Sequence, residues 1–290
     1  MLECVANVSE GRDLVALREL AERCGPSLLD VHTDADHHRS VFTLAGPGAD
    51  DAAPAARALA DAVAHYVTIV AHDGVHPFLG ALDVVPFVAL TETPAARRGA
   101  AQTAREFAQW WAETHDVPVF LYDDADPERR DLPSTRRDAF RSRGPDFGPD
   151  APHPRLGASA VGARKPLVAI NLLLAAEDPA IARQIAREVR ERDGGLPGVR
   201  ALGWMMDSIG RPQVSMNLVD LDRTGVEAAC LQVRDLAHRQ GTDVVSVELV
   251  GLVPQRDLDR CSDEFVRWAR IDPGAAIEAR VGHGPRRLPA

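Results

Sequence analysis

"GVRALGWMMDSIGRPQVSMNLVDL", residues 198–221, reads as two apolar-rich runs of strand length joined by "SIGR", whose Gly210 fits a tight hairpin. On its amino-terminal side, "KPLVAINLLLA" (165–175) is a third strand. "DPAIARQIAREVRER" (178–192) is a helix with Ile181, Ile185 and Val189 on one face. Gly194, Gly195 and Gly198 end that helix and turn the chain. On the carboxyl side, "TGVEAACLQVRDLAHRQ" (224–240) is a second helix and "TDVVSVELVGL" (242–252) a fourth strand. Thr224, followed three residues later by Glu227, has capping-box spacing and predicts where the second helix starts. The order β-α-β-β-α-β is the split βαβ unit of ferredoxin-like domains, and it places a domain boundary near residue 166.

Upstream of 166 the same α/β alternation continues less regularly. "LECVA", "SLLDVHT", "RSVFTLA", "ALDVVPFVAL" and "VPVFLY" read as strands. "RDLVALRELAER" places Leu14, Leu17 and Leu20 at helical spacing. In "DDAAPAARALADAVAHYV" the residues Leu59, Val63 and Tyr66 share a face, with Pro54 suited to the first turn. A third helix covers "AARRGAAQTAREFAQWWAETH". Asp123 to Pro154 has no sustained period and is rich in Asp, Arg, Pro and Gly, so it is expected to lack regular structure. Its prolines make it a stiff, ligand-lining loop rather than a floppy one.

Bulk properties narrow the function. The 290 residues are 45% hydrophobic, enough for a real core, and 43 acidic against 33 basic residues give a net charge of −10. That balance argues against nucleic acid or anionic lipid as partner, though one local arginine can still hold a small carboxylate. Cys4, Cys24, Cys230 and Cys261 are far apart, which fits a reduced, cytoplasmic setting. "MLECVANVSEGRD" has no basic region followed by an apolar run, so no signal peptide is expected from it, and no apolar stretch approaches the ~20 residues a membrane helix needs.

Two stretches hold candidate chemistry. "DVHTDADHHRS" (30–40) packs three histidines and three aspartates into eleven positions. Strand alternation would put Asp30, His32 and Asp34 on one side, leaving His37 and His38 in the turn that follows. No rigid H-x-x-x-H pair occurs, so no metal is expected. Arg39 can pair bidentately with a carboxylate of protein or ligand, or form a surface ion pair of little worth. In "AHDGVHPFLGALDVVPF" (71–87), His76 precedes Pro77, which pushes its backbone toward extended geometry, and Gly74 and Gly80 bracket it. A histidine on a short stiff loop at a sheet edge can donate a proton near neutral pH. The commoner role of a lone histidine is to cap a loop or bond a carbonyl. Neither a G-x-S-x-G elbow nor a phosphate-cradling glycine loop is present.

Read together, nine ordered blocks carry a resemblance: "LECVANVSEGRD", "LLDVHTDADHHRSVFTLAGP", "GVHPFLGALDVVPF", "PVFLY", "PDFGP", "GASAVGARKPLVAINLLL", "GLPGVRALGWMM", "QVSMNLVD" and "ELVGLVP". In this order they resemble the formiminotransferase domain family. The resemblance implies transfer of a formimino group from N-formimino-L-glutamate to N5 of tetrahydrofolate, a co-substrate, with no metal required. It also implies an α/β (α+β) fold of two subdomains, 1–166 and 167–290. Each would be a mixed or antiparallel sheet covered by helices, the second ferredoxin-like, with a ligand tunnel between them and a homodimer as the assembly. The family's catalytic histidine corresponds to His76, a general acid toward the departing glutamate nitrogen. Its folate loop corresponds to Gly148, Pro149, Asp150, Ala151, Pro152, His153, Pro154, Arg155, Leu156 and Gly157.

Asp34 or Asp36 would then hold the amidinium of the donor, and Arg39 its carboxylate. Departures from the family pattern are Phe78 where a basic residue is usual, His38 where Asn is common, Arg155-Leu156 in the loop, and Val247 in place of Ser. Phe78 therefore bears on the donor. The alternatives are the same chemistry with another amine or amino acid, or a catalytically silent folate-binding protein.

Overall fold

Leu2, Cys4, Ala6 and Val8 alternate along the first strand, β1 (Leu2–Val8), and all four are buried. The computed structural model describes residues 1–46, 48, 51–74, 76–91 and 93–285. These divide into two units, Met1–Lys165 with the segment from Arg280, and Pro166–Ala279. Pro47, Asp50 and Val75, within stretches read above, and the last five positions of the expected second domain lie outside the described residues.

In the first unit β1 is followed by α1 (Leu14–Cys24), β2 (Leu28–Asp34), β3 (Arg39–Ala45), α2 (Ala52–Tyr66), β4 (Leu82–Ala89), α3 (Pro94–His115), β5 (Val119–Asp123), α4 (Leu132–Asp138) and β6 (Ser159–Arg164). The strands form one mixed sheet in the order β2-β3-β1-β4-β6-β5. Pairing is antiparallel from β2 to β4 and parallel where β6 lies between β4 and β5. Asp13 caps α1 by accepting from the backbone N–H groups of Val15 and Ala16, and Thr93 caps α3 through Ala96. Leu17 and Leu20, Leu59 and Val63, and Phe107 and Trp111 bury against one face of this sheet. Burying Trp111 strands an indole N–H unless it is paired, and it donates to Ser159 Oγ at 3.0 Å. Two positions expected on apolar faces are not buried there: Leu14 and Tyr66 are exposed at the ends of their helices, where the core no longer reaches. The Tyr66 hydroxyl contacts Glu19 Oε2 at 3.2 Å.

The second unit carries β7 (Val168–Leu174), α5 (Pro179–Val189), β8 (Val199–Met206), β9 (Arg211–Leu218), α6 (Val226–Arg239) and β10 (Val244–Val250). The sheet order β10-β7-β9-β8 is antiparallel throughout, which is the ferredoxin-like arrangement. Val168, Ile170, Leu172 and Leu174 alternate onto the helical face, where Ile185, Val189, Val233 and Leu236 meet them. Gly210, at φ 65°, closes the hairpin. The expected capping box is absent. Gly225 is the cap residue of α6, and Thr224 Oγ1 bonds the carbonyl of Pro197 at 2.6 Å. Glu227 instead accepts from the backbone N–H and hydroxyl of Ser262, the cap residue of the short helix Asp263–Ala269, at 2.7 Å each.

The stretch from Asp123 to Pro154 is not without regular structure, since it contains α4. This helix begins with Asp131 accepting from Ser134 N–H at 3.0 Å and Pro133 in its first turn. Seven residues are too few to give a periodic signal. Its Leu132, with Ala139 just beyond it, packs with Tyr122 and Phe120 on the face of β5 opposite the α1–α3 core. Arg130 and Arg143 neutralise the buried Asp126, and Arg143 also reaches Asp146 at 2.6 Å.

The chain then crosses back over the segment leading into β4. Gly80 and Gly157 bridge, flanked by Ala81 N–H to Leu156 O at 2.9 Å and Ala158 N–H to Leu79 O at 3.0 Å. A Cβ on Gly80 would strike the carbonyls of Leu156 and Ala158, and one on Gly157, at φ 70°, would strike that of Leu79. Gly157→Ala is expected to destabilise the chain by more than ~1 kcal/mol in urea unfolding. Gly99→Ala in α3, where a Cβ meets nothing within 4 Å, should stabilise by about 0.5–1 kcal/mol. Equal midpoints for the two variants would contradict the close approach.

Candidate active site

Asp83 lies in an otherwise apolar strand. β1 pairs Asn7 with Val84 and Val8 with Leu82, so Asp83 is the extra residue of a bulge. Bulges re-aim side chains, and here the carboxylate turns toward the neighbouring strands. It is fully buried and accepts from Leu79 N–H at 2.7 Å, from Arg39 Nη1 at 2.6 Å and from Arg136 Nη2. Arg39 opens β3 and also donates from Nε and Nη2 to Asn7 Oδ1 at 3.1 and 2.9 Å. Arg136 comes from α4. Burial alone would raise the pKa of Asp83, but the guanidiniums of Arg136 and Arg39 hold it below the usual carboxylate range. Burial lowers the pKa of Arg39, and Asp83 opposes that shift. One carboxylate between two guanidiniums leaves a centre of net positive charge.

His76 sits within the field of that centre. Burial first, then Arg39 and Arg136, lower its pKa from the ordinary 6.5 to about 3, with Asp83 pulling weakly the other way. The ring is therefore neutral near neutral pH, and a proton it donates must first be acquired. Nδ1 lies 2.7 Å from the carbonyl of Pro77. A carbonyl only accepts, so Nδ1 carries the proton and Nε2 presents the lone pair.

The turn after β2 borders the same place. His37 is buried and bonds Asp34 twice, Nδ1 to Oδ2 at 2.7 Å and N–H to Oδ1 at 2.8 Å. Burial works to raise the pKa of Asp34, but these bonds and the charge of His37 hold it low. The rings of His37 and His76 are 6.2 Å apart. His38, at φ 49°, stacks on His72 at 4.4 Å, and His72 meets Phe78 at 4.3 Å. Asp36 is half-buried in the turn, while Asp30 and His32 are buried further back along β2. Among the described residues, no group of three or more His, Cys, Asp or Glu side chains is placed to hold a metal ion.

The loop from Gly148 to Gly157 is tied at both ends. Phe147 O accepts from Val119 N–H before it, and the Gly80–Gly157 crossing follows it. Within it, His153 and Gly157 exchange backbone bonds of 2.8 Å each. His153 Nδ1 accepts from Arg155 and Leu156 N–H at 3.2 and 3.0 Å. Gly148, Asp150, Ala151, Pro152, Pro154 and Arg155 are exposed, Pro149 and His153 half-buried, and Leu156 and Gly157 buried. The Arg155 guanidinium is turned onto the carboxyl end of α2, donating to Val67 O at 3.1 Å and to Ala64 O, carbonyls the helix itself leaves unpaired.

Asn7, Asp83 and Arg136 were missed in the sequence. A lone aspartate inside "ALDVVPFVAL" was a usable signal, because a carboxylate in a buried strand needs a cationic partner. Arg136 had none, being on a helix too short to read.

The family model described as "Formiminotransferase domain, N-terminal subdomain" matches residues 1–164, and the one described as "Formiminotransferase domain" matches residues 168–271. The chain is 33% identical to a glutamate formimidoyltransferase of Streptococcus pyogenes serotype M1, with 94% of this chain and 95% of that one covered. It is 34% identical to a protein of the same name from Thermoplasma acidophilum, with 97% of each covered. A formimidoyltransferase-cyclodeaminase of Sus scrofa is 35% identical over 89% of this chain and 51% of its own length. The resemblance drawn from the nine blocks is borne out, and the chain belongs to the formiminotransferase domain family of transferases.

Proposed function

We propose that this protein moves the formimino group of N-formimino-L-glutamate to N5 of tetrahydrofolate, with the chemistry carried by residues 1–166 around His76. The observation that carries the reading is a neutral imidazole, fixed through Nδ1, beside a net-positive cluster. Two relatives matched over nearly their whole length, both named glutamate formimidoyltransferase, support the donor.

N5 attacks the amidine carbon, and a C–N5 bond forms as the carbon becomes tetrahedral. Nε2 of His76 takes the proton that N5 must shed. The imidazolium then gives that proton to the glutamate nitrogen, the C–N bond to glutamate breaks, and the ring returns to its neutral form. His76 is thus base first and acid second: its low resting pKa leaves the ring unprotonated near neutral pH and makes the imidazolium, once formed, a strong acid toward the glutamate nitrogen. Amidinium charge would be met by Asp34 and by Asp36 in the adjoining turn. The loop Gly148–Gly157, anchored at both ends with Pro152 and Pro154 exposed, is suited to hold the pteridine and its tail. Phe78 packs on His72 and offers no charge to an anionic donor, which favours as second reading the same transfer from another N-formimino amino acid.

Incubation with tetrahydrofolate and a panel of N-formimino amino acids, following 5-formiminotetrahydrofolate, decides between these donors. His76→Asn should lower kcat by ~10²–10⁴-fold and leave tetrahydrofolate binding intact; an unchanged kcat would exclude His76 from proton transfer. Since the folded ring protonates only near 3, kcat/KM should show no inflection near 6.5 that His76→Asn removes. Between 6.5 and 3 the unfolded chain binds a proton at His76 that the folded chain does not, so this contribution makes stability fall as pH falls. Urea midpoints of His76→Asn should decline less steeply over that window. Arg155→Met should raise the KM for tetrahydrofolate by loosening its loop from α2, while the donor KM holds.

A further inference from the structure

We propose that Arg136 is the specificity-determining residue that binds a carboxylate of the amino-acid donor. This rests on the transfer reading above. Asp83 is a single buried carboxylate shared by two guanidiniums, so one positive charge at the cluster has no protein counter-charge within the cluster. Buried uncompensated charge is costly, and an anionic ligand relieves it.

The two arginines are not equivalent receivers. Arg39 is committed from Nε and Nη2 to Asn7 and from Nη1 to Asp83, and its side chain is 10% exposed. Arg136 touches Asp83 through Nη2, its Nε is buried with no hydrogen-bond partner among the described residues, and its side chain is 20% exposed. It is the more open and the less satisfied of the pair. Its charge also acts on His76, where after burial and Arg39 it helps to lower the pKa of the ring, so the two belong to one electrostatic neighbourhood. The neighbouring alternatives have the wrong character. Asp34 is an anion already paired with His37, and Phe78 is apolar. A guanidinium edge offers a carboxylate two parallel charge-assisted bonds.

Removing Arg136 leaves Arg39 and Asp83 as a one-to-one pair, so Arg136→Gln keeps the fold's own charge balance. Arg136→Lys serves as a charge-retaining second variant, and Arg137→Gln, an exposed neighbour, as control. Titration calorimetry with L-glutamate reads binding without turnover. Glutamate binding should weaken at least tenfold in Arg136→Gln, less in Arg136→Lys, and not in Arg137→Gln. In turnover the donor KM should rise by a similar factor with the tetrahydrofolate KM unchanged, and the His76 pKa should move up as a positive neighbour is lost. Equal glutamate binding by wild type and Arg136→Gln, or no binding by wild type, overturns the assignment. Wild type that binds glutamate in an Arg136-dependent way but transfers no formimino group overturns the transfer reading and leaves Arg136 as a carboxylate site.

Discussion

A carboxylate with no access to water, held by two guanidiniums, is the constraint on which this site depends. Asp83 can be buried because guanidiniums compensate it, and Arg39 and Arg136 are each delivered by a different part of the chain. The bulge between β1 and β4 turns Asp83 toward β3, Asn7 steers the Arg39 fork, and α4 brings Arg136. Breaking such a cluster by losing the carboxylate would leave two cations facing each other, a far larger penalty than losing a surface ion pair. Burial first, and then the two guanidiniums that fasten the strands through Asp83, keep the nearby imidazole unprotonated, so structural and chemical roles meet in one arrangement.

The second constraint is backbone crowding. Only two glycines allow the strand into β4 and the strand into β6 to cross, and that crossing ties the His76 segment to the Gly148–Gly157 loop through backbone bonds. Arg155 adds a strut from this loop to the end of α2, and Ile69 N–H returns a bond to Arg155 O at 3.0 Å. The two loops are therefore joined to each other and to α2 by backbone and side-chain hydrogen bonds.

Much of this was legible because its signals are local and repetitive. The alternation of Val168, Ile170, Leu172 and Leu174, the period of Ile185 and Val189, and the Gly210 turn specified the second unit. His76 and the proline-rich loop stood out by type and spacing. What stayed hidden depends on pairing across long sequence distance. Asp83 meets Arg136 fifty-three residues away, and the short α4 reveals itself only once β5 offers it a face to pack on. Thr224 and Glu227 failed as a capping box for the same reason, since Pro197 and Ser262 compete for them and neither is near in sequence.

The place of β6 in the sheet has a kinetic meaning. It lies between β4 and β5 and runs parallel to both, yet it follows them only after the connection from 124 to 158. Parallel pairing across such a span is slow to form, because loop closure must precede any reward from the ladder. β5 cannot join the sheet until that connection has been laid down, and the connection is the segment that holds α4, Arg136 and the glycine crossing. During synthesis, the centre around His76 is thus completed in the same event that seals the sheet, and a chain arrested before Ser159 would hold His76 on an unfinished scaffold.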